Sequence, residues 1–260
     1  WQYTLALLRG LVELHGCRVA LVCFGDPPES DLEEAVPGGE LEVIPLHRRL
    51  EWMPDSAPDV RASLAEVDRL IRLWHPDLVH SNQYCFGLLE APVPRVVVAH
   101  SDVLGWLAWH RGATIADELG DELREYRRLV SAGLAGATEV VCPSRFMASS
   151  LEALYGRASR VIYNGLWPDR YHPSSGCTSR ESTPGSAAVS PASEPLRAIV
   201  AGRLWDEAKR AEVAVRALDG LPVQLHLVGP TLGPRGERSS LPAAPNARYL
   251  GPRPWRETRD

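Results

Sequence analysis

Residues Glu139–Tyr163 read EVVCPSRFMASSLEALYGRASRVIY and hold the pattern on which the fold turns. Glu139–Cys142 is a short apolar run rich in β-branched residues, which reads as a buried strand. Ser144 is the right residue type to cap a helix, because its hydroxyl can accept an N–H from the first turn. A helix is therefore expected over Arg145–Tyr155, closed by Gly156, which can take the left-handed conformation that ends helices. A second apolar run follows at Arg160–Tyr163 (RVIY). Strand, capped helix and strand in this order make a βαβ unit. Strands with no polar face imply a parallel sheet covered by helices on both sides.

The same alternation extends in both directions. Leu5, Leu8 and Val12 put an apolar stripe on an opening helix that ends near Gly16. Arg18–Phe24 (RVALVCF) is a strand stopped by Gly25-Asp-Pro-Pro, and Leu41–Leu46 is another. Val60, Leu64, Val67, Ile71 and Trp74 mark a helix with Trp74 expected in the core. Strands are expected at Asp77–His80 and Arg95–His100 (RVVVAH), then a helix marked by Leu123, Tyr126, Val130 and Leu134. Residues 174–195, SSGCTSRESTPGSAAVSPASEP, carry almost no large apolar side chain and read as a linker or inserted loop. The pattern then restarts with a strand at Arg197–Ala201, a helix with Ala211, Ala214, Val215 and Leu218 on one face, and a strand at Val223–Val228. The expected fold is thus α/β with two Rossmann-like domains, 1–172 and 196–260, separated by residues 173–195. The second domain is expected to be incomplete.

Composition narrows the function. The formal net charge is −5 and no basic stripe is present, which argues against nucleic acid as a partner. Positive charge gathers toward the end of the chain, where it would suit a small anionic ligand. Five cysteines include no C-x-x-C pair. Cys17, Cys23 and Cys142 lie in or beside apolar runs, so buried free thiols in a reducing, cytoplasmic compartment are expected. No apolar run reaches the roughly 18 residues of a membrane span, and no signal peptide is seen. The chain opens at Trp1 inside an apolar-periodic helix and stops just after Trp255, at an expected helix start, so it reads as a piece of a longer protein.

In open α/β sheets, ligands gather at the carboxyl ends of the strands. Gly202-Arg203 follows Arg197–Ala201, and Lys209 stands six residues beyond Arg203, near the next helix. Of the 28 Lys and Arg residues, Lys209 is the only lysine. A chain that otherwise writes its cations as arginine has kept a compact, mobile ammonium here. An arginine fork beside a lysine at a helix N-terminus is suited to a diphosphate. The competing arrangement is an Arg203 salt bridge to Asp206 or Glu207 with Lys209 solvated. His100, closing RVVVAH, can bond a sugar hydroxyl or move a proton near neutral pH, or serve the fold alone. His80 has the same placement, with a structural role favoured. Asn164-Gly165 is expected to make a turn with Gly165 at positive φ.

Other chemistries lack their signatures. There is no G-x-G-x-x-G or Walker-type loop, no G-x-S-x-G elbow, and no His/Cys grouping with metal-ligand spacing. No cofactor and no metal is expected.

Taken together, AGRLWDEAK, PDLVHSN, VVVAHSD, VVCPSRFMASSLEALYG and VIYNGLWPDRYHP resemble the retaining glycosyltransferases of family 4, in that family's order and spacing. The resemblance implies a GT-B fold, with two Rossmann-like domains facing each other across a cleft. It further implies transfer of a sugar from a nucleotide-sugar donor to an unspecified acceptor, with retention of configuration. Arg203 and Lys209, with Gly202, match the diphosphate-binding pair, and His100 matches the active-site histidine. Asn164 and Gly165 match the segment leading to the hinge. Peripheral contact with a membrane is left open. The family's Gly-rich loop would precede Trp1 and its E-x7-E pair would follow Asp260. Glu34 and Glu42 show that spacing only by chance. The 260 residues alone are therefore expected to lack transferase activity. A non-catalytic nucleotide- or sugar-binding module and a GT-B sugar-nucleotide epimerase are the alternative readings.

Overall fold

Among the described residues every pairing between strands is parallel, in line with the unbroken apolar runs. The structure is a computed structural model and describes residues 1–38, 41–111, 120–165, 167, 196–233, 236 and 238–253. The linker expected at 173–195, Cys177, and the helix start expected after Trp255 lie outside the described residues.

The chain divides into two units, Trp1–Trp167 and Pro168–Asp260. The first unit opens with α1 (Gln2–Arg9), which continues as a π-helical turn over Gly10–Leu14. There follow β1 (Val19–Phe24), α2 (Glu29–Ala35), β2 (Leu41–Leu46), α3 (Ala57–Trp74) and β3 (Val79–Ser81). A 3-10 turn at Tyr84–Leu88 leads to β4 (Arg95–Val98), α4 (Val103–Arg111), α5 (Asp121–Gly136), β5 (Glu139–Cys142), α6 (Arg145–Tyr155) and β6 (Arg160–Val161). Its strands form a two-stranded sheet, β1-β2, and a four-stranded sheet, β3-β4-β5-β6. The second unit contains β7 (Leu196–Ala201), a 3-10 turn at Glu207–Lys209, α7 (Ala211–Leu218), β8 (Val223–Val228) and β9 (Ala247–Gly251), in the order β7-β8-β9.

The stretch around Ser144 folds as its residues dictate. Ser144 is extended, its Oγ accepts the Met147 N–H at 3.1 Å, and Gly156 ends α6 at φ 64°. Met147 and Leu151 on the inner face of α6 pack with Val97, Val130, Val140 and Cys142 of the neighbouring strands and helix. Ser144→Ala should therefore cost about 1 kcal/mol of stability, read as a lower urea midpoint at unchanged slope.

The 3-10 turn after β3 is held from three sides. The Glu51 carboxylate, 6% exposed, accepts the N–H of Tyr84 at 2.8 Å and of Cys85 at 2.7 Å. Asp68 on α3, equally buried, accepts the N–H of Glu90 and of Ala91. On the third side α5 comes down backbone to backbone. A Cβ on Gly133, Gly136 or Gly87 would fall inside 3.0 Å of a carbonyl oxygen on the facing segment. This segment follows β3 directly and so fixes the strand end that carries His80 and Asn82.

Several expectations are corrected. Cys17 is exposed, because it lies in the connection before β1 rather than in the strand; Cys23 is part-buried, while Cys85 and Cys142 are buried. Trp74 is not a core residue: it sits on the last turn of α3, beyond Ile71, and stacks under the Arg18 guanidinium at 4.9 Å. RVIY forms a strand only at Arg160–Val161, although Ile162 still donates to the Cys142 carbonyl. Gly165 does not take the positive φ expected of it.

Candidate functional site

Both groups of candidate residues lie at carboxyl ends of strands, one group in each unit. In the first unit, His80 lies within β3, and His100 stands two residues beyond β4. Asn82 follows β3 directly. The first turn of α1 brings Tyr3 and Thr4 to them. Tyr3 OH lies 3.2 Å from His80 Nε2, and the two rings stack at 5.9 Å. The Tyr3 ring also meets His100 edge-on at 4.4 Å. His100 Nε2 lies 3.1 Å from Asn82 Oδ1, and Asn82 Nδ2 donates to Thr4 Oγ1 at 3.4 Å.

Electrostatics follow from this packing. Burial lowers the His80 pKa, and the neighbouring His100 lowers it further. Burial also lowers that of His100. Both imidazoles are thus neutral at pH 7, with one N–H and one lone pair each. Burial raises the Tyr3 pKa, so its phenol stays protonated and can donate.

Two residues beyond His100, the Asp102 carboxylate is 5% exposed and accepts from Tyr155 OH at 2.6 Å, Tyr126 OH at 3.2 Å and Gly105 N at 2.6 Å. It ties the start of α4 to α5 and α6, so the backbone after His100 is anchored. The sequence marked the two histidines by their strand-end placement. It gave no role to Tyr3 or Thr4, which reach the site from a distant helix.

In the second unit, three glycines mark the carboxyl ends of the three strands. Gly202 (φ 151°) follows β7, Gly229 (φ 136°) follows β8, and Gly251 (φ 78°) closes β9. Gly202 N donates to Val228 O at 2.9 Å, and Gly229 N donates to Gly251 O at 3.0 Å, which continues the ladder past the strands. Any Cβ at Gly229 would collide with the Gly202 carbonyl. Beyond Gly202, the Arg203 guanidinium pairs with Asp206 at 2.8 Å and lies over the Trp205 ring at 5.5 Å. Asp206 also accepts the Ala208 N–H at 3.1 Å and so caps the turn that carries Lys209.

It is the competing arrangement, the Arg203–Asp206 ion pair, that forms, through Nη2, and the Arg203 side chain stays 60% exposed. Lys209 is exposed and makes no ion pair among the described residues. It stands two residues ahead of α7. Asn164 and Gly165 are exposed beyond β6 in the first unit.

Among known proteins, a family model described as Glycosyltransferase Family 4 matches residues 1–170. No match was found among curated proteins. Among solved structures, HepE of Anabaena in complex with UDP and glucose aligns with TM-score 0.58 at 17% identity, covering 98% of this chain and 67% of that one. The same protein with UDP-glucose gives 0.58 at 18%, covering 97% and 66%. Sucrose-phosphate synthase from Thermosynechococcus elongatus gives 0.62 at 17%, covering 97% and 65%. The chain spans about two thirds of the length of these proteins. Identities this low speak to the fold, which is α/β of the GT-B type. No described helix is long and apolar enough to cross a membrane.

Proposed function

The chain belongs to glycosyltransferase family 4, and on that premise we propose that it serves transfer of a sugar from a nucleotide-sugar donor to an acceptor, with retention of anomeric configuration. The observation that carries this reading is the Gly202–Lys209 loop. A side-chain-free strand end at Gly202, an Arg203 guanidinium 60% exposed beside Asp206, and an exposed Lys209 with no ion pair among the described residues follow one another just ahead of a helix.

In this reading Arg203 and Lys209 bind the donor diphosphate and offset the charge that builds on it as the sugar–phosphate bond breaks. Gly202 lets the backbone approach. Oriented cations of this kind act where charge develops, which is where they lower the barrier. The two cations do this without a metal, and no cofactor takes part. His100 stands near the transferred sugar as a neutral imidazole, with His80 packed behind Tyr3. Asn164 and Gly165 belong to the path toward a hinge. The complexes of HepE with UDP and UDP-glucose support a nucleotide-sugar as donor. The unpaired thiols of Cys85 and Cys142 suit a reducing compartment such as the cytoplasm.

Calorimetric titration of the chain with UDP, ADP and GDP tests the loop directly. At least one should bind, and Lys209→Ala should weaken it by about 10- to 150-fold, the worth of one charged hydrogen bond of about 1.5–3 kcal/mol. Equal affinity in the variant, or no binding by any nucleoside diphosphate, would defeat the assignment.

A further inference from the structure

We infer that Asn82 is a positioning residue: it holds His100 in the Nε2–H tautomer and leaves the Nδ1 lone pair to accept a hydrogen bond from a ligand hydroxyl. The chain of contacts runs from α1 to the ring. Asn82 Nδ2 is engaged by Thr4 Oγ1, which turns Oδ1 toward the imidazole at 3.1 Å. A carboxamide oxygen only accepts, so Nε2 carries the hydrogen. A neutral ring has one N–H, and Nδ1 is then bare.

Two further features suit this arrangement. The edge-on Tyr3 ring at 4.4 Å fixes the plane of His100, so a lone pair on Nδ1 has a fixed direction. Nδ1 has no hydrogen-bond partner among the described residues. The groups facing the ring are the Tyr3 phenol from α1, and His80 and Asn82 from the end of β3. None of them brings a negative charge that would stabilise an imidazolium.

Function follows from the tautomer. A ring presenting Nδ1 takes a proton-bearing hydroxyl and rejects a carbonyl or ether oxygen at the same place, since two lone pairs would then face each other. His100 would thus select a sugar that carries a hydroxyl there over one that lacks it. That role for Nδ1 rests on the donor-site reading above; the tautomer itself does not, so the two can fail separately.

The test is long-range 1H–15N correlation of the 15N-labelled chain at pH 7.5, with the His100 signals identified by their loss in His100→Gln. The wild-type ring should show the Nε2–H pattern. Asn82→Ala should move it toward a mixture of tautomers. Asn82→Asp should restore the Nε2–H pattern and raise the titration midpoint of His100 by about one unit or more, because a carboxylate then faces the ring. An Nδ1–H pattern in the wild type would overturn the proposal, since it would mean that the Asn82 amide is turned over. A pattern unchanged in a folded Asn82→Ala chain would overturn it too. The wild-type spectrum alone decides the first point, even if a variant does not fold.

Discussion

Gly133→Ala should lower the unfolding free energy by about 3 kcal/mol or more, although helix propensity alone predicts a gain of about 1 kcal/mol. Gly133 lies in the interior of α5, where alanine is the better helix former. The added methyl would, however, meet the Tyr84 carbonyl inside 3.0 Å, and the nearest atoms are backbone, which cannot rotate away. Either α5 lifts off the 3-10 turn or the turn breaks its own ladder. Gly136 and Gly87 complete the same contact, so relief cannot come from a neighbour. Urea unfolding gives the answer, with Gly120→Ala as control because open space surrounds that position. A stabilised Gly133→Ala would show that α5 does not approach the turn this closely. The loss should also reach the site, since the turn follows the strand end that carries Asn82.

The second large effect is at Glu51. Its carboxylate is the acceptor for the first N–H groups of the 3-10 turn, and Gln83, the residue before that turn, supplies no side-chain cap. Glu51→Ala strands two buried donors, each costing about 1–3 kcal/mol, so a total near 3–4 kcal/mol is expected. The Tyr84 and Cys85 amides should also lose most of their protection from hydrogen exchange. The pH dependence has a definite sign. Burial raises the Glu51 pKa above its reference of 4.5, and the two amide donors only partly oppose this. The folded state then holds its proton over a range where the unfolded chain has released it. The stability contributed by this proton is complete below about 4.5 and falls as pH rises through the folded pKa. Glu51→Gln has no proton to lose and should remove that slope from the stability profile. A slope that survives the substitution would show that another group causes it.

What the sequence revealed was local. The strand Glu139–Cys142, the Ser144 cap and the Gly156 stop are each decided within a few residues, and the structure has them at the expected positions. The helix of Val103–Arg111 went unread because its apolar residues run round the helix rather than along one face. β9 (ARYLG) was missed because an edge strand with two exposed long side chains has little apolar signal. Trp74 misled because periodicity marks a face without saying where the core ends along it. The site shows the same division. His100, Arg203 and Lys209 could be placed at strand ends because strand ends can be counted from the sequence. Tyr3, Thr4 and Glu51 act across 33 residues or more, and no spacing rule connects them to their partners.

The contact between Gly202 and Gly229 also limits how the loop can be re-engineered. The two positions form one steric unit although a strand and a helix separate them in sequence. A library that randomises 203, 205 and 207–209 can sample widely, whereas Leu204 is buried in the core and Asp206 caps the turn, so both are best kept. One that includes 229 should return glycine almost without exception, whatever ligand is used for selection. Specificity in this loop is therefore evolvable from its front and closed to change from its back.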